Sequence, residues 1–479
     1  MKKLIALPIS LLLVLSLAAC GGSTAERPQG TTVDRTTVNP VTVGYPTCDT
    51  PNGNDPCWDN AARRFRFEPG ATITIGVDND LLGEALVAKW DADYPALRGR
   101  LVFRNYGSVN GESTGIQGVE VGQSEAPDVV LIVSNEAVGR EVNLLPLHPY
   151  FENLIASDSL PAVNAVINRR APILVTAFWD GMSFSWNETM LRELGVNVDR
   201  DSNGDGLPDA IDSWEKIFEL GLVNETYKGN RILEVFPLSL DEPWSAYSSV
   251  SSTGFVIFQQ GADRPGFETP QFLGGLEFIQ AFSRAGINLD ETGGKKAASA
   301  MGWRWDQYLN DEAYPFGLVG TWMNVQAAEE ATGSTFRFSA MPTWQGNPLR
   351  PFSQTKGFGV NAFTRYPSAA SEVLRWLYTP STMSSMIANS TYLPALQEGA
   401  FSTPEIFDPQ KAEFTNGMRL NQLVPGQTLP NNSSVLAMDL YYNVGITDFY
   451  KAVWDGTLTP AQAQEQVVSA TAAWLSANN

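Results

Sequence analysis

The sequence predicts an α/β fold organised around a largely parallel sheet. Short β-branched runs alternate with segments of helical period, the order from which parallel sheets are built. One run, Val129–Val133, is apolar at every position and so has to be buried on both faces. No Pro/Gly/Ser-rich linker divides the globular part, so the chain is expected to cross between two lobes more than once.

The first strand is read at Ala71–Val77, where β-branched residues dominate, and Asp78-Asn79-Asp80 makes the turn after it. Leu82, Leu86 and Trp90 then recur at helical spacing, and Tyr94-Pro95 ends that helix. Leu101–Phe103 and Val129–Val133 are the next strands. Parallel sheets bind ligands beyond the strand C-termini, which puts Asp78–Asp80, Tyr106–Asn110 and Ser134–Glu136 along one cleft edge. Pro172–Ser185 is another apolar and aromatic run. A short helix over residues 189–195 ends at Gly195, and Ser213 is the expected N-cap of a helix opening at Trp214. Residues 271–286 and 365–379 are helical by pattern. A last helix spans 459–476, with Thr459 as cap and Pro460 in the first turn.

Composition narrows the function. The chain has 479 residues and is 43% hydrophobic and 18% charged, which is globular and long enough for two or three domains. A net charge of −20 repels phosphate backbones, so nucleic acid is not an expected partner. His148 is the single histidine and sits in a Pro-flanked turn, which argues against zinc hydrolysis and Ser-His-Asp chemistry.

Met1–Cys20 reads as an export signal: Lys2 and Lys3, an apolar run to Leu17, then Leu17-Ala18-Ala19-Cys20. It closely resembles a bacterial lipoprotein signal, which implies lipidation of Cys20 and anchoring at the outer face of the cytoplasmic membrane; an ordinary secretory signal is the alternative. In an exported chain Cys48 and Cys57 are expected to form a disulfide, worth about 2–3 kcal/mol by loop closure. Gly21–Gly70, rich in Thr, Pro, Gly and Asn, reads as a tether carrying that cross-linked loop.

An acidic loop follows a calcium template. Asp201, Asn203, Asp205, Leu207 (through its carbonyl), Asp209 and Asp212 fall at loop positions one, three, five, seven, nine and twelve, with Gly206 at the sharp turn. Asp212 stands where the template has glutamate. The expected role of Ca2+ is structural, relieving repulsion among carboxylates that include Asp199; a solvated Asp/Asn/Gly turn is the alternative.

Several pieces then occur in the order of one family: Trp90-Asp91-Ala92-Asp93-Tyr94-Pro95, Ala126-Pro127-Asp128-Val129, Leu144-Leu145-Pro146-Leu147, Ser185-Trp186-Asn187-Glu188, Gly320-Thr321-Trp322, Tyr392-Leu393-Pro394-Ala395 and Asp455-Gly456-Thr457-Leu458-Thr459-Pro460. Along most of Ala71–Asn479 the chain resembles the sugar-type extracellular solute-binding proteins of ABC transporters, the maltose-binding-protein-like group. Trp186 departs from that group's usual tyrosine. The resemblance implies a two-lobe periplasmic-binding-protein fold with hinge crossings and an interlobe cleft. It implies 1–19 as signal, 20–70 as tether, 71–178 plus 346–392 as one lobe and 179–345 plus 393–479 as the other. It also implies capture of a sugar or oligosaccharide by a monomer, delivery to permease subunits, and no chemistry on the ligand.

A saccharide needs flat aromatic platforms with polar groups at their edge. Trp322 is the leading platform, since the family pattern places it at the ligand. Trp179 with Asp180, Trp244 with Tyr247, and Tyr392 are further candidates, and Asp78, Asn79 and Asp80 are the expected hydroxyl-binding rim, with helix capping by Asp80 as the alternative. Trp303, Trp305, Tyr308 and Trp344 are divided between site and core; Trp90, Trp376 and Asp128 are expected to be structural. Competing functions are a surface glycosidase, a calcium-stabilised sensor or adhesin of the same fold, and a receptor for a non-sugar solute.

Overall fold

A two-residue hairpin opens the described part of the chain, β1 (Trp58–Asp59) against β2 (Arg64–Phe65). The structure is a computed structural model; it describes residues 56–107, 126–134, 137, 143–158, 172–251, 255, 257, 265–351, 353–397, 399–401, 409–422 and 440–478. All of these lie within one compact unit, Asn39–Asn479. Trp58 and Phe65 are buried and pack on His148, Tyr150 and Phe151, with the Phe65 and Phe151 rings stacked at 5.7 Å. The Glu68 carboxylate accepts the N–H groups of Ser368 and Ala369 at 2.8 and 2.6 Å. The folded body therefore starts ahead of Ala71, which corrects the expected tether boundary at residue 70. Two large aromatics bury too much apolar surface to stay in a solvated linker. Cys57 is disulfide-bonded. Cys20, Cys48 and the export signal lie outside the described residues.

β3 (Ile73–Val77), α1 (Asp80–Asp93), β4 (Leu101–Asn105) and β5 (Val129–Val133) follow the order expected from the sequence. β3 pairs in parallel with β4 and β5, and every residue of β5 is buried. α1 buries Leu82, Leu86 and Trp90. Its N-cap is Asn79, whose Oδ1 accepts the Leu82 N–H at 2.8 Å, so Asp80 does not serve as the cap. Tyr94 closes the helix under Trp90, at 4.4 Å between ring centroids. Asp128 is structural: it accepts the Thr74 N–H at 2.8 Å and the Thr364 hydroxyl at 2.6 Å. α2 (Pro149–Asp158) then leads to β6 (Val175–Asn187), buried at all 13 positions.

Next come α3 (Glu188–Glu193), closed by left-handed Gly195, and α4 (Trp214–Glu219). Ser213 occupies the N-cap position of α4 in extended conformation but makes no side-chain capping bond; its backbone bridges Thr343 instead. α5 (Pro243–Ala246), α6 (Pro270–Ala285) and α7 (Trp305–Asp311) precede β7 (Phe316–Gly320), β8 (Phe336–Ser339) and β9 (Ser353–Val360). α8 (Pro367–Leu377) and α9 (Pro460–Asn478) complete the elements used below. The Thr459 hydroxyl accepts the Gln462 N–H at 3.3 Å, capping α9 as expected.

The main sheet runs β8-β6-β9-β5-β3-β4, with β7 also on β6. It is mixed rather than largely parallel, because β9 lies antiparallel between β5 and β6 and β6 is antiparallel to β7 and β8. Among the described residues the only strands that pair in parallel are β3, β4 and β5, and α1 is the crossover that joins β3 to β4. The long β6 is paired by β9 from Val175 to Gly181 and by β7 and β8 from Met182 to Asn187. Hydrophobic packing divides along the same strand. Val175 and Phe178 belong to a core with Trp90, Phe358 and Trp376; Trp179, Met182 and Phe184 belong to a second core with Trp214, Phe282 and Trp305, which also takes Val130 and Ile132 from the other face of β5 and Leu174. The division recurs between Tyr392 and Leu393. Where β9 crosses β6 its register shifts at Lys356/Gly357, and a Cβ on Gly357 would stand 2.0 Å from the Val175 carbonyl oxygen, so only glycine fits that approach. Among the described residues, no helix is long and apolar enough to cross a membrane.

Candidate functional site

Side chains alternate between the two faces of a strand, so Asp180 and Met182 share one face of β6. On that face Asp180 is mostly buried and both of its oxygens are engaged. Oδ2 accepts the Gln354 amide at 3.1 Å, and Oδ1 lies 3.6 Å from the Lys356 ammonium. Lys356 is 1% exposed, an unusual burial for lysine, and its Nζ sits 3.8 Å above the Tyr392 ring. The other partner of that ring is Phe178, at 4.8 Å. The Tyr392 hydroxyl donates to Asp78 Oδ1, which also accepts the Asn79 amide at 2.9 Å. Burial first, and then the Asp78 carboxylate, hold the Tyr392 phenol well above its ordinary pKa, so it remains a proton donor. A continuous polar chain thus runs from β9 through β6 to the C-terminal end of β3, at the division between the two cores.

The tryptophans meet beside it. β7 ends at Gly320, which is paired with Met182, and the next residue, Thr321, donates its N–H to the Gly181 carbonyl at 3.0 Å. The Trp322 indole folds back over Gly320, where a Cβ would stand 2.5 Å from the ring. Trp322 lies 6.3 Å from Trp303, with the ring planes 24° apart, and 5.5 Å from Trp244. Trp244 and Trp303 are 6.5 Å apart at 26°. Trp322 is 40% exposed and the other two are half-buried, so three indoles form one contiguous surface with a solvent-facing end. The Trp303 indole N–H donates to Asp306 at 3.0 Å. Asp241 stands beside Gly302, within 3.3 Å of where a Cβ would be, and pairs with Lys451 at 2.6 Å.

No protein-family model and no curated protein matches this chain.

Of the residues expected from sequence, Trp322 and Trp244 lie on the indole surface, and Asp78, Asn79, Asp180 and Tyr392 lie on the polar chain. Asp80 is exposed at the first turn of α1 and accepts the Asn105 amide at 3.1 Å. Trp179 and Tyr247 are placed differently. Both are buried, Trp179 within the second core and Tyr247 against Phe255 and Tyr441, so neither presents a ring face to a ligand in this structure. Polar neighbours in sequence, Asp180 and the serines after Trp244, accompany buried rings at both positions. Trp305 and Tyr308 are also core, while Trp344 is half-buried against Phe218 and Phe278. Gln354 and Lys356 were not anticipated. A lysine inside the glycine-bearing run SQTKGFGV was the available signal.

His148 is buried beside Trp58 and Phe65, and desolvation lowers its pKa to about 4. It belongs to the packing around the hairpin.

The acidic loop is internally satisfied. Asp201 accepts the N–H groups of Gly204 and Gly206 at 2.8 and 3.0 Å, and Asp205 accepts the Leu207 N–H and the Asn203 amide, both at 2.8 Å. Arg192 pairs with Asp199 at 2.6 Å, Arg200 with Asp209 at 2.9 Å and Lys216 with Asp212 at 2.8 Å. The repulsion from which a cation was expected is thus met in part by the chain's own bases. Ser202 donors and Arg192 respectively hold Asp209 and Asp199 below the usual carboxylate range. Among the described residues no group of three or more His, Cys, Asp or Glu side chains is placed to hold a metal ion.

Proposed function

We propose that this chain is a carbohydrate-binding lipoprotein that captures a sugar or oligosaccharide between two lobes and hands it unchanged to the permease of an ABC importer. The observation that carries the reading is the Trp244–Trp303–Trp322 surface beside the Asp180–Lys356–Tyr392–Asp78 chain. Indole faces receive the C–H face of a sugar ring, and carboxylates and amides at the edge receive its hydroxyls. The two hydrophobic cores support a two-lobe arrangement, with β6, β9 and the segment at Tyr392–Leu393 as crossings about which the lobes close. The registers at Gly357 and Gly181 are where bending is expected. The lipid on Cys20 would hold the receptor near its permease as a monomer. Ca2+ is proposed as a structural ion of the Asp201–Asp212 loop, taken up if Lys216 and Arg200 release Asp212 and Asp209.

A thermal-shift and calorimetric screen of mono- and oligosaccharides on wild type and Trp322→Ala, with and without chelator, tests the reading. A saccharide that raises the melting temperature of wild type but not of the variant supports it. Hydrolysis of the saccharide, or absence of binding by any saccharide, refutes it.

A further inference from the structure

The charged groups around the indole surface are unequal in sign and in availability. On the β6 side, the Lys356 ammonium is enclosed, 1% exposed, and committed to Asp180 and to the Tyr392 ring. Asp78 is half-exposed, and its hydrogen bonds come from the neutral Asn79 amide and Tyr392 hydroxyl. On the tryptophan side, Asp306 is exposed and accepts only the neutral Trp303 N–H. Glu242, two residues before Trp244, is exposed and makes no capping bond at the start of α5. Lys451 is taken by Asp241, and Arg304 and Lys296 share Glu234, with Arg304 at 2.9 Å. Among the described residues no side-chain cation pairs with Asp78, Asp306 or Glu242, whereas Lys356, Lys451 and Arg304 each sit on a carboxylate. Neutral donors stabilise a carboxylate without cancelling its field. Indole faces carry negative π density and attract cations. Both parts of the surface thus favour a positive group and repel a negative one.

We propose that the saccharide taken at this surface carries a free amine, an amino sugar or an oligosaccharide of amino sugars, and that sugar acids and sugar phosphates are excluded. The inference rests on the saccharide reading above and specifies its ligand. The ring lies on Trp322, with Trp303 and Trp244 continuing the platform. The ammonium is directed to the carboxylates at its edge, where cation–π attraction and charge act together.

The test is isothermal calorimetry on the whole mature chain with four probes of equal length: the trimer of β-1,4-linked glucosamine, its N-acetylated form, cellotriose, and trigalacturonate. The expected result is binding of the glucosamine trimer at least tenfold tighter than cellotriose or the N-acetylated trimer, with no binding of trigalacturonate. Glu242→Gln with Asp306→Asn is expected to bring the affinities for the glucosamine trimer and cellotriose within about twofold of each other. Equal or tighter binding of cellotriose, or any binding of trigalacturonate, overturns the amine inference and leaves the saccharide reading standing. Failure of all four probes, together with failure of the wider saccharide screen, refutes that reading and this inference with it. Retention of the amine preference in the double variant overturns the assignment to these carboxylates.

Discussion

Replacing Lys356 by methionine is expected to cost stability out of proportion to the atoms removed. At 3.6 Å from Asp180 Oδ1, the pair has a gross attraction of about 4–5 kcal/mol at an effective dielectric near 20. Forming the pair also required both charges to leave water, so its net value is much smaller than that. Breaking it is different: the methionine leaves Asp180 buried with only the Gln354 amide, and such unpaired buried charges cost about 3–5 kcal/mol. Loss of the Tyr392 cation–π contact adds roughly 0.5–2 kcal/mol. Urea denaturation read by far-ultraviolet circular dichroism measures the change. Asp180→Asn alone strands the lysine and should cost a comparable amount. The double variant Lys356→Met/Asp180→Asn removes both charges and should recover at least about 2 kcal/mol relative to the sum of the single losses. Additive losses, or a Lys356→Met variant within about 0.5 kcal/mol of wild type, would refute the claim that this buried pair is electrostatically coupled.

Trp322→Ala should weaken saccharide binding by roughly thirtyfold or more, as truncation of an aromatic anchor does, while leaving the urea midpoint nearly unchanged because the ring is 40% exposed. Gly320→Ala is a second handle: its Cβ would displace the indole, so binding should fall with the Trp322 side chain still present. His148 titrates near pH 4 in the folded chain and near 6.5 unfolded, so its contribution is complete above about pH 6.5 and is lost as pH falls toward 4. The loss amounts to at most about 3–4 kcal/mol. It is the sole histidine, so one imidazole NMR signal reports the midpoint, and His148→Gln should flatten that part of the stability profile. Non-reducing peptide mapping should recover Cys57 joined to Cys48. Calcium should raise the melting temperature of wild type but not of Asp201→Asn/Asp205→Asn, by an amount equivalent to about 2.7 kcal/mol at a hundredfold excess over its dissociation constant.

The order of elements from Ile73 to Val133 was legible because each is a short-range pattern: β-branched runs, the Leu82/Leu86/Trp90 stripe, and a strand apolar at every position. The mixed sheet was not, because strand direction depends on where a distant segment returns. Nothing local in Ser353–Val360 says that it lies antiparallel between β5 and β6. Aromatic residues showed the same limit. Trp322, Trp179 and Tyr247 have similar surroundings in sequence, yet one is 40% exposed and two are buried. What separates them is contact with residues far along the chain: Gly320 leaves room for an indole to fold back, whereas Tyr247 is covered by Phe255 and Tyr441. The hairpin at Trp58–Phe65 was hidden inside a Thr/Pro/Gly/Asn-rich stretch, whose average composition masked two large aromatics.

Lys356 shows why the site's charge had to be read from structure. By composition alone, a lysine between polar and glycine residues counts as a positive group available to a ligand. In the fold its ammonium is buried against Asp180 and Tyr392, so it ties β9 to β6 and offers no charge to the surface. Lys451 is likewise bound to Asp241, and Arg304 shares Glu234 with Lys296. A net charge of −20 describes the whole chain and predicts only solubility and nonspecific repulsion. The preference for a positive ligand is a narrower consequence: Lys356, Lys451 and Arg304 are held by carboxylates, whereas Asp78, Asp306 and Glu242 pair with no side-chain cation among the described residues.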